Sequence, residues 1–578
     1  MAGRSPSRRR WISGFFARSR SDTARDGLGY ELVSTGGLRE DEDEENGGTR
    51  RVDNDDADEV PSNLPGPPPT TSQLDVLRHV PGQIPWTAYA MAVVELAERA
   101  SYYGVGGLFP NFVQRPLPPG GSGTGAPPPN TQLTPGALGM GLQVSTALSV
   151  IFSLLAYTTP LLGGILADLK WGKFKTIAVG TGIAGIAHIL FVYAAMPSLL
   201  QDGGAFLPFL IGLLLLGGSA GMIKANIAPI MAEQYLPASD YVSSLPGGEK
   251  LIIDREATIQ KIMSVYYGSI NIGGFIAITS TFAEKYVGFW LAFLIPGVIF
   301  LIMPFLLYDT YPKLVKSSSP NSSVLVDTYH QARSYFSNPQ SRLRPEDFEP
   351  DTVKNEEGAA DDFGKILQTC KFFAFFIVYN IADGGLNALL ISLAGSMTTN
   401  VSNDLLNPIP SVSIVIHQIP MLNRFVYPYL SANRISFGPV RRVLVGFISA
   451  AVGMIWAAII QYLVYRTSPC GYEATTCDEV SPLSAWLVLP AFLLSGLSES
   501  FAVVSAMEIG YMMSPPSLRS IINSFFLFMQ ALSAVAILVF LPIMEDPYLV
   551  WPFVITATIT LLATWGIWKY LSHLDDRH

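Results

Sequence analysis

The chain has 578 residues, of which 49% are hydrophobic and only 14% charged, with a mean hydropathy of +0.33. Soluble domains carry roughly 25% charged residues, and here the apolar residues cluster into runs that could each cross a bilayer core of about 30 Å. The pattern excludes a soluble enzyme, a coiled coil and a mainly disordered chain, and it disfavours a membrane β-barrel, whose segments alternate over about 10 residues. The net charge of −9 says little because much of it lies in one tail, and three cysteines are too few for a disulfide scaffold.

Residues 1–85 combine a basic patch, an acidic run and the proline-rich stretch at 61–70. Dense charge with little apolar surface does not offset the entropy cost of ordering the chain, so we predict a disordered cytosolic tail. A regulatory or sorting role for this tail is the alternative. No apolar core of a signal peptide follows the N-terminal arginines, so we expect the first membrane helix to direct insertion.

Twelve spans are predicted, and an even number places both termini on one side. They are 86–110, 137–160, 174–196, 205–229, 262–282, 287–308, 371–393, 408–430, 442–463, 484–507, 519–541 and 549–571, numbered 1 to 12 below. If the termini are inside, the inner loops carry ten Lys and Arg residues and the outer loops three, namely Arg115, Lys285 and Arg466. Because positive loops stay in the cytosol, we predict cytosolic termini.

The longest polar segment inside the membrane region separates two halves. We expect a six-helix bundle at 86–308, a cytosolic linker at 309–370, a second bundle at 371–571 and a cytosolic C-terminus at 572–578. Two such halves indicate a secondary transporter whose substrate site lies between them near the midplane. A twelve-span receptor or scaffold is the alternative, but it needs no charges inside the membrane.

Two cysteines, Cys470 and Cys477, fall in the predicted outer loop between spans 9 and 10. That compartment is oxidising, so we expect a local disulfide, with two free thiols as the alternative. Cys370 lies at the inner end of span 7 and is expected to be reduced.

Span 1 carries charges where a bilayer disfavours them by roughly 2.5–3.5 kcal/mol each, so they normally face a cavity and mark a pathway. Glu95, Glu98, Arg99 and Tyr102 are spaced i, i+3, i+4, i+7, which places them within roughly 100° of arc on one helix face, and Tyr103 borders this stripe. Two carboxylates that share one arginine make a good proton site, because one can be protonated while the other holds the guanidinium. The alternative is a purely structural ion pair.

Other spans carry isolated ionisable residues. Lys224 lies in glycine-rich span 4, where it could engage a carboxylate of span 1 or of a substrate, or extend to the inner interface. Glu499 in span 10 is a candidate anchor for a cationic amine. The alternative is that its carboxylate pairs with a neighbouring helix for packing alone. Asp383 in span 7 precedes a Gly-Gly pair that suggests a locally opened helix; it is a second proton-site candidate or a helix-end cap. His188 is interpreted as a hydrogen-bonded core residue.

No enzyme signature is present: the chain has no Walker A loop, no GxGxxG after a strand, no HExxH and no CxxC. We therefore expect no catalytic residues, no metal and no cofactor, with a proton gradient as the energy source. The basic N-terminal patch lacks interleaved aromatic residues, which disfavours nucleic acid as a partner.

Several segments together resemble the proton-dependent oligopeptide transporter family of the major facilitator superfamily. ELAER at 95–99 with YYG at 102–104 resembles its first-span motif, and 159–177, 221–235, 265–274, 407–428 and 496–520 resemble further family motifs. The resemblance covers about 86–570 and is strongest to fungal di- and tripeptide permeases. It implies an all-α membrane protein with the twelve-helix major facilitator fold in two six-helix bundles.

The resemblance also implies functional residues. Glu95, Glu98 and Arg99 would form the proton-coupling cluster with Lys224, and Asp383 is a further candidate for coupling. The peptide pocket would comprise Tyr102, Tyr103, Tyr157, Lys224, Asn271, Asn407 and Glu499, with Glu499 and the asparagines at the peptide amino terminus and Lys224 at its carboxylate.

The implied function is proton-coupled import of di- and tripeptides by alternating access. Alternatives are a transporter of the same fold for nitrate or an amino-acid derivative, and a nutrient sensor that does not transport. The expected partners are peptides, protons and the lipid bilayer. We expect a monomer in the plasma membrane, with the vacuolar membrane as the alternative.

Overall fold

The computed structural model describes residues 66–237, 239–244, 249–315, 369–414, 418, 421–426, 429–430, 433, 437–477, 479–512 and 519–575. The charged part of the predicted tail (1–65) and most of the predicted linker (316–368) lie outside these residues.

Ten helices in the described part of the chain are long and apolar enough to cross a membrane. Apolar segments form helices in lipid because a helix satisfies its own backbone hydrogen bonds. These helices correspond to spans 2 to 7 and 9 to 12. They cover Gly141–Leu166, Lys173–Ala194, Phe206–Glu233, Ala257–Tyr286, Phe289–Lys313, Thr369–Gly395, Pro439–Thr467, Ala485–Met507, Phe525–Ile543 and Val550–Tyr570. Span 1 is the helix Trp86–Gly106, and span 8 is described only in part, beginning with Ile409–Ser413.

Most helices differ by a few residues from the predicted bounds, and spans 2 and 5 show why. Span 2 continues to Leu166, beyond the predicted end at residue 160, because Pro160 is accommodated inside the helix. Span 5 is the 32-residue helix Arg255–Tyr286, since the polar residues before residue 262 extend its inner end. Hydropathy locates the apolar part of a helix. It does not detect polar turns that continue the helix beyond that part.

Glycines bring helices close together within each half, as is usual in membranes. Span 4 packs on spans 2 and 3, and a side chain added at Gly221 would lie within 2.5 Å of the backbone nitrogen of Pro160. Span 9 packs on spans 10 and 12, and Gly446 meets Ala502 in the same way. Phenylalanines fill the centre of the second half, where Phe376 packs on Phe447 at 5.3 Å between ring centroids.

A small separate unit is built from residues that precede span 1 and residues 235–261. It contains the helix Thr71–Val76 and a three-stranded sheet in the order β1-β3-β2. The strands are β1 (His79–Pro81), β2 (Tyr241–Ser244) and β3 (Lys250–Asp254); β1 runs parallel to β3 and β2 antiparallel. The expectation of a wholly unfolded tail over 1–85 is therefore wrong for residues 71–81, because β3 supplies buried apolar residues such as Ile252 that the tail lacks.

The predicted disulfide is confirmed. Cys470 and Cys477 are joined in the loop between spans 9 and 10, with 5.9 Å between their Cα atoms. Strands β4 (Met397–Thr398) and β5 (Ser481–Ser484) pair on the same side, which we call the outer side following the charge bias of the loops. Cys370 is a free cysteine, as expected.

Candidate functional site

The charged stripe of span 1 forms a compact buried ion cluster. Nε of Arg99 lies 2.6 Å from Oε1 of Glu95 and 3.2 Å from Oε2 of Glu98. The exposed fractions are 0% for Glu95, 3% for Glu98 and 7% for Arg99. One guanidinium thus serves two carboxylates, which is the arrangement that helical spacing predicts for these positions.

Span 5 closes over this cluster. A side chain at Gly273 would lie 2.5 Å from Cβ of Arg99, so only a glycine allows the two helices to approach at this point. Two helix turns earlier in span 5, Tyr266 interacts electrostatically with Glu95 and Arg99. Tyr266 lies in the family-like segment 265–274, but no spacing rule in the sequence predicts its position beside the cluster.

Lys224 of span 4 faces tyrosines. Its Nζ lies 3.5 Å from the ring centroid of Tyr102 and 5.3 Å from that of Tyr157. The ammonium also interacts electrostatically with Glu98 and Glu95, although no direct ion pair with them forms in the described residues. Lys224 therefore lies between the ion cluster and an aromatic wall, not at the inner interface.

The aromatic wall joins spans 1 and 2. Tyr102 stacks on Phe152 at 4.9 Å and contacts Tyr103 edge-on at 5.3 Å. Tyr157 of span 2 faces the Lys224 ammonium from a second side, at 5.3 Å from its ring centroid. These rings give an apolar surface with hydroxyl groups at its edge, which suits a ligand whose side chains vary.

Asp383 lies at a break in span 7. The backbone leaves helical geometry at Asp383 (φ −102°, ψ 88°) and Gly384 (φ 90°, ψ −20°), which confirms the predicted opening of this helix. Glycine tolerates a positive φ of this size at no steric cost. The Asp383 carboxylate accepts hydrogen bonds from Tyr379 (2.8 Å) and from Ser495 of span 10, and Ser498 donates to the Tyr379 oxygen at 3.0 Å.

Glu499 of span 10 makes no hydrogen bond or ion pair with the described part of the chain. Its carboxylate interacts electrostatically with Asp383 and with Tyr103, Tyr157 and Tyr267 of the first half. Its electrostatic partners thus come from both halves of the protein.

The two predicted asparagines are placed differently. The side-chain amide of Asn271 donates to the carbonyl of Tyr267 in its own helix at 2.9 Å. The amide nitrogen of Asn407 lies 3.6 Å from where a side chain on Gly107 would begin, beside the outer end of span 1. Neither contacts Glu499 in this conformation. His188 exchanges a 2.7 Å hydrogen bond with Ser101, which confirms its interpretation as a core residue.

One group outside the spans has metal-ligand chemistry. His79, Asp240 and Asp254 bring ligand atoms within 4.8 Å of one another. Both carboxylates already serve the start of the span 5 helix: Asp240 accepts the N–H of Arg255 at 2.8 Å, and Asp254 accepts that of Ala257 at 2.9 Å. Helix capping accounts for the two carboxylates, and Nδ1 of His79 lies 3.6 Å from Oδ2 of Asp254.

The sequence of this chain is similar to those of known proteins. A model of the POT family matches residues 174–560. A Candida albicans protein named peptide transporter PTR2 is 35% identical over 92% of this chain and 89% of its own length. An Acremonium protein named MFS-type transporter ucsM is 40% identical over 84% of this chain and 83% of its own.

Solved structures agree on the fold. The POT family transporter PepTSo superimposes with a TM-score of 0.65 at 16% identity, over 86% of this chain and 99% of that one. A POT family peptide transporter described as auto-inhibited superimposes with a TM-score of 0.64 at 17% identity. The chain is an integral membrane protein with the major facilitator fold, and it belongs to the POT family, which comprises transporters and not enzymes.

Proposed function

We propose that this protein imports di- and tripeptides together with protons by alternating access. The observation that carries the proposal is the placement of Lys224 on one half and Glu499 on the other, each without a direct ion pair. A short peptide is a zwitterion, so opposed charges bind the two ends that all peptides share. Relatives named peptide transporters support this choice of substrate.

The pocket that we propose contains Tyr102, Tyr103, Tyr157, Lys224, Asn271, Asn407 and Glu499. Glu499 binds the peptide amino group, and the asparagines join it in a conformation where the halves are closer. Lys224 binds the peptide carboxylate, and its ammonium leaves the tyrosine rings when it does so. The aromatic wall contacts side chains without hydrogen-bonding demands, so it tolerates many of them.

Proton coupling is assigned to Glu95, Glu98 and Arg99, with Lys224 as their partner. Glu98 is the proton acceptor, because Glu95 holds Arg99 more closely (2.6 Å against 3.2 Å) and can keep it when Glu98 is neutral. Asp383 is a second proton acceptor, and its charge interacts electrostatically with Glu499. The energy source is the proton gradient, and an entering charge contributes about 2.3 kcal/mol per 100 mV.

The mechanism uses the two bundles, 86–308 and 371–571, as rocking bodies around the bound peptide. No cofactor takes part. The protein works as a monomer in the plasma membrane, with the vacuolar membrane as the alternative location.

The test is uptake of labelled dipeptide into liposomes under an imposed pH gradient. We expect Glu98→Gln and Lys224→Ala to lose accumulation above equilibrium, because each removes a charge from the coupling cluster. Asp202→Asn, an exposed change in an outer loop, is the matched control and should transport normally. Normal driven uptake by Glu98→Gln would remove Glu98 from the coupling role.

Another small substrate remains the rival, because the 40% identical relative is named as a transporter without a stated cargo. Competition in the same liposomes separates the two. Blocking the dipeptide amino group by acetylation, or its carboxylate by amidation, should abolish competition if the protein binds both charged ends of the peptide. A sensor that does not transport would bind the dipeptide and show no uptake by any variant.

A further inference from the structure

A buried polar layer joins the two halves near the outer side, away from the ion cluster of span 1. The side-chain nitrogen of Asn111 donates to Glu284 of span 5 at 2.8 Å and to Asn403 at 2.9 Å. Asn403 donates back to Asn111 at 2.8 Å, and the Ser402 hydroxyl donates to Glu284 at 2.6 Å. Asn111 and Glu284 belong to the first half, whereas Ser402 and Asn403 follow span 7 in the second.

Two carboxyl groups meet in this layer. Glu284 and Asp404 are both 0% exposed and lie within hydrogen-bonding reach of each other across the halves. By hydrogen-bond geometry, no donor in the described part of the chain reaches Oε2 of Glu284 or either side-chain oxygen of Asp404. The missing donor is the feature to be explained, because buried polar atoms are normally hydrogen-bonded.

The charged surroundings do not neutralise both acids. In the described residues, the titratable groups that face this pair are Glu284, Asp404 and one cation, Lys285. The Lys285 ammonium donates to the carbonyl of Val401 at 2.8 Å. Burial raises the pKa of Asp404, in the outer loop, from 3.8 to about 6. Two buried carboxylates side by side do not both ionise, and such pairs bind a proton between them.

We propose that Glu284 and Asp404 form a proton-binding site that takes one proton from the outer side and holds the two halves together there. With the proton bound, one carboxyl donates an O–H···O hydrogen bond to the other. When the proton returns to outer water, two negative charges face each other and the halves separate. In the separated form both groups are hydrated and ionise in the ordinary range.

The direction of the pH effect follows from linkage. The closed outer side binds the proton more tightly than the open one, so its stabilisation is complete below the ordinary pKa of about 3.9 and is lost as pH rises through the raised pKa. Acid outside therefore favours closure. The inference rests on the alternating access proposed above, and in an importer it would commit a protonated, loaded carrier to open inward.

Distances between spin labels on the outer side test this site without any transport measurement. Labels at Asp202→Cys and Tyr548→Cys report on the two halves, in a Cys370→Ala background whose disulfide stays oxidised. We expect short distances at pH 5, with the closed-to-open ratio falling about tenfold by pH 8. Glu284→Gln and Asp404→Asn should stay closed at both pH values, because an amide replaces the shared proton as donor.

Glu479→Gln, an exposed acid of the outer surface, is the matched control and should respond like the parent protein. A full pH response in both Glu284→Gln and Asp404→Asn would overturn the proposal, as would an outer side that is open at pH 5 in either. If one variant does not fold, the other carries the test. Loss of peptide uptake with intact pH-dependent closure would count against the transport proposal alone.

Discussion

The Lys224 ammonium lies against the rings of Tyr102 and Tyr157, a contact weak enough to be broken when a ligand binds. An ammonium over desolvated aromatic faces gains about 2 kcal/mol, which is less than the roughly 3–5 kcal/mol lost when a buried ion pair is broken. At 3.5 Å from the Tyr102 ring, Lys224 is near both the carboxylates of span 1 and the proposed ligand position. We therefore expect the ring face of Tyr102, and not its hydroxyl, to position the Lys224 ammonium.

Substitutions of Tyr102 separate these two contributions. Tyr102→Phe keeps the ring, so dipeptide affinity should stay within about twofold of the wild type, whereas Tyr102→Leu should weaken it by about tenfold or more. Calorimetric titration of purified protein with a dipeptide measures both. Equal weakening by Phe and Leu would show that the hydroxyl is the group that matters.

The sequence predicts parts of this site and misses others for clear reasons. Helical spacing alone places Glu95, Glu98 and Arg99 on one face. The same rule links Tyr379 to Asp383 four residues later, and applying it there would have found that hydrogen bond. The partner of the Asn271 amide is its own backbone, and no spacing rule predicts whether a polar side chain in a helix turns back or faces a ligand.

Contacts between helices depend on single glycines. Gly273 of span 5 lies against the backbone of span 1, with Leu96 O and Ala100 N both 2.9 Å from an added side-chain carbon. Backbone atoms cannot rotate away as a flexible side chain can. A larger residue must therefore push the two helices apart and displace Arg99 from its carboxylates.

We expect Gly273→Ala to destabilise the protein by roughly 1–3 kcal/mol, the usual cost of overpacking, and to impair driven uptake. Gly268→Ala in the same helix meets nothing within 4 Å, so it should be neutral or slightly stabilising. Thermal unfolding of both variants in detergent gives the comparison. A Gly273→Ala protein as stable as Gly268→Ala would mean that the helices lie further apart than described.

Spans were predictable because bilayer thickness fixes how long an apolar helix must be. The opened turn at Gly384 was also foreseen, since a Gly-Gly pair after a charged residue weakens a helix. The three-stranded sheet was not foreseen. β1 has three residues, and its partner β3 lies beyond four spans in the sequence, so no local pattern links them.

Hydrogen bonds between the halves cluster at the outer side. Gln114 donates to Ser392 at 2.7 Å, and Tyr286 donates to the carbonyl of Asn400 at 3.3 Å, in addition to the layer around Glu284. Ser392 is 1% exposed as a result. The structure therefore represents a form that is closed outside, and transport requires these bonds to break and re-form in each cycle.

Labelling of Ser392→Cys by a maleimide that does not cross membranes should report this opening. In a Cys370→Ala background we expect slow labelling from outside, accelerated about fivefold or more when Tyr286→Phe removes the hydrogen bond to the Asn400 carbonyl, a bond worth roughly 1 kcal/mol. Asp202→Cys, exposed in all forms, corrects for thiol reactivity. Rapid labelling of Ser392→Cys without Tyr286→Phe would contradict a closed outer side.

The parallel pairing of β1 with β3 also constrains how the molecule is made. β1 emerges from the ribosome before the first membrane helix, but β3, the central strand of the sheet, follows only after four helices have entered the bilayer. Strand β1 therefore stays unpaired until the four helices have inserted and β3 has been synthesised. Deleting residues 1–81 would keep every membrane-spanning helix yet leave one edge of β3 unpaired, so we expect N-terminal deletions to be tolerated up to the helix at Thr71 and to cause aggregation beyond it.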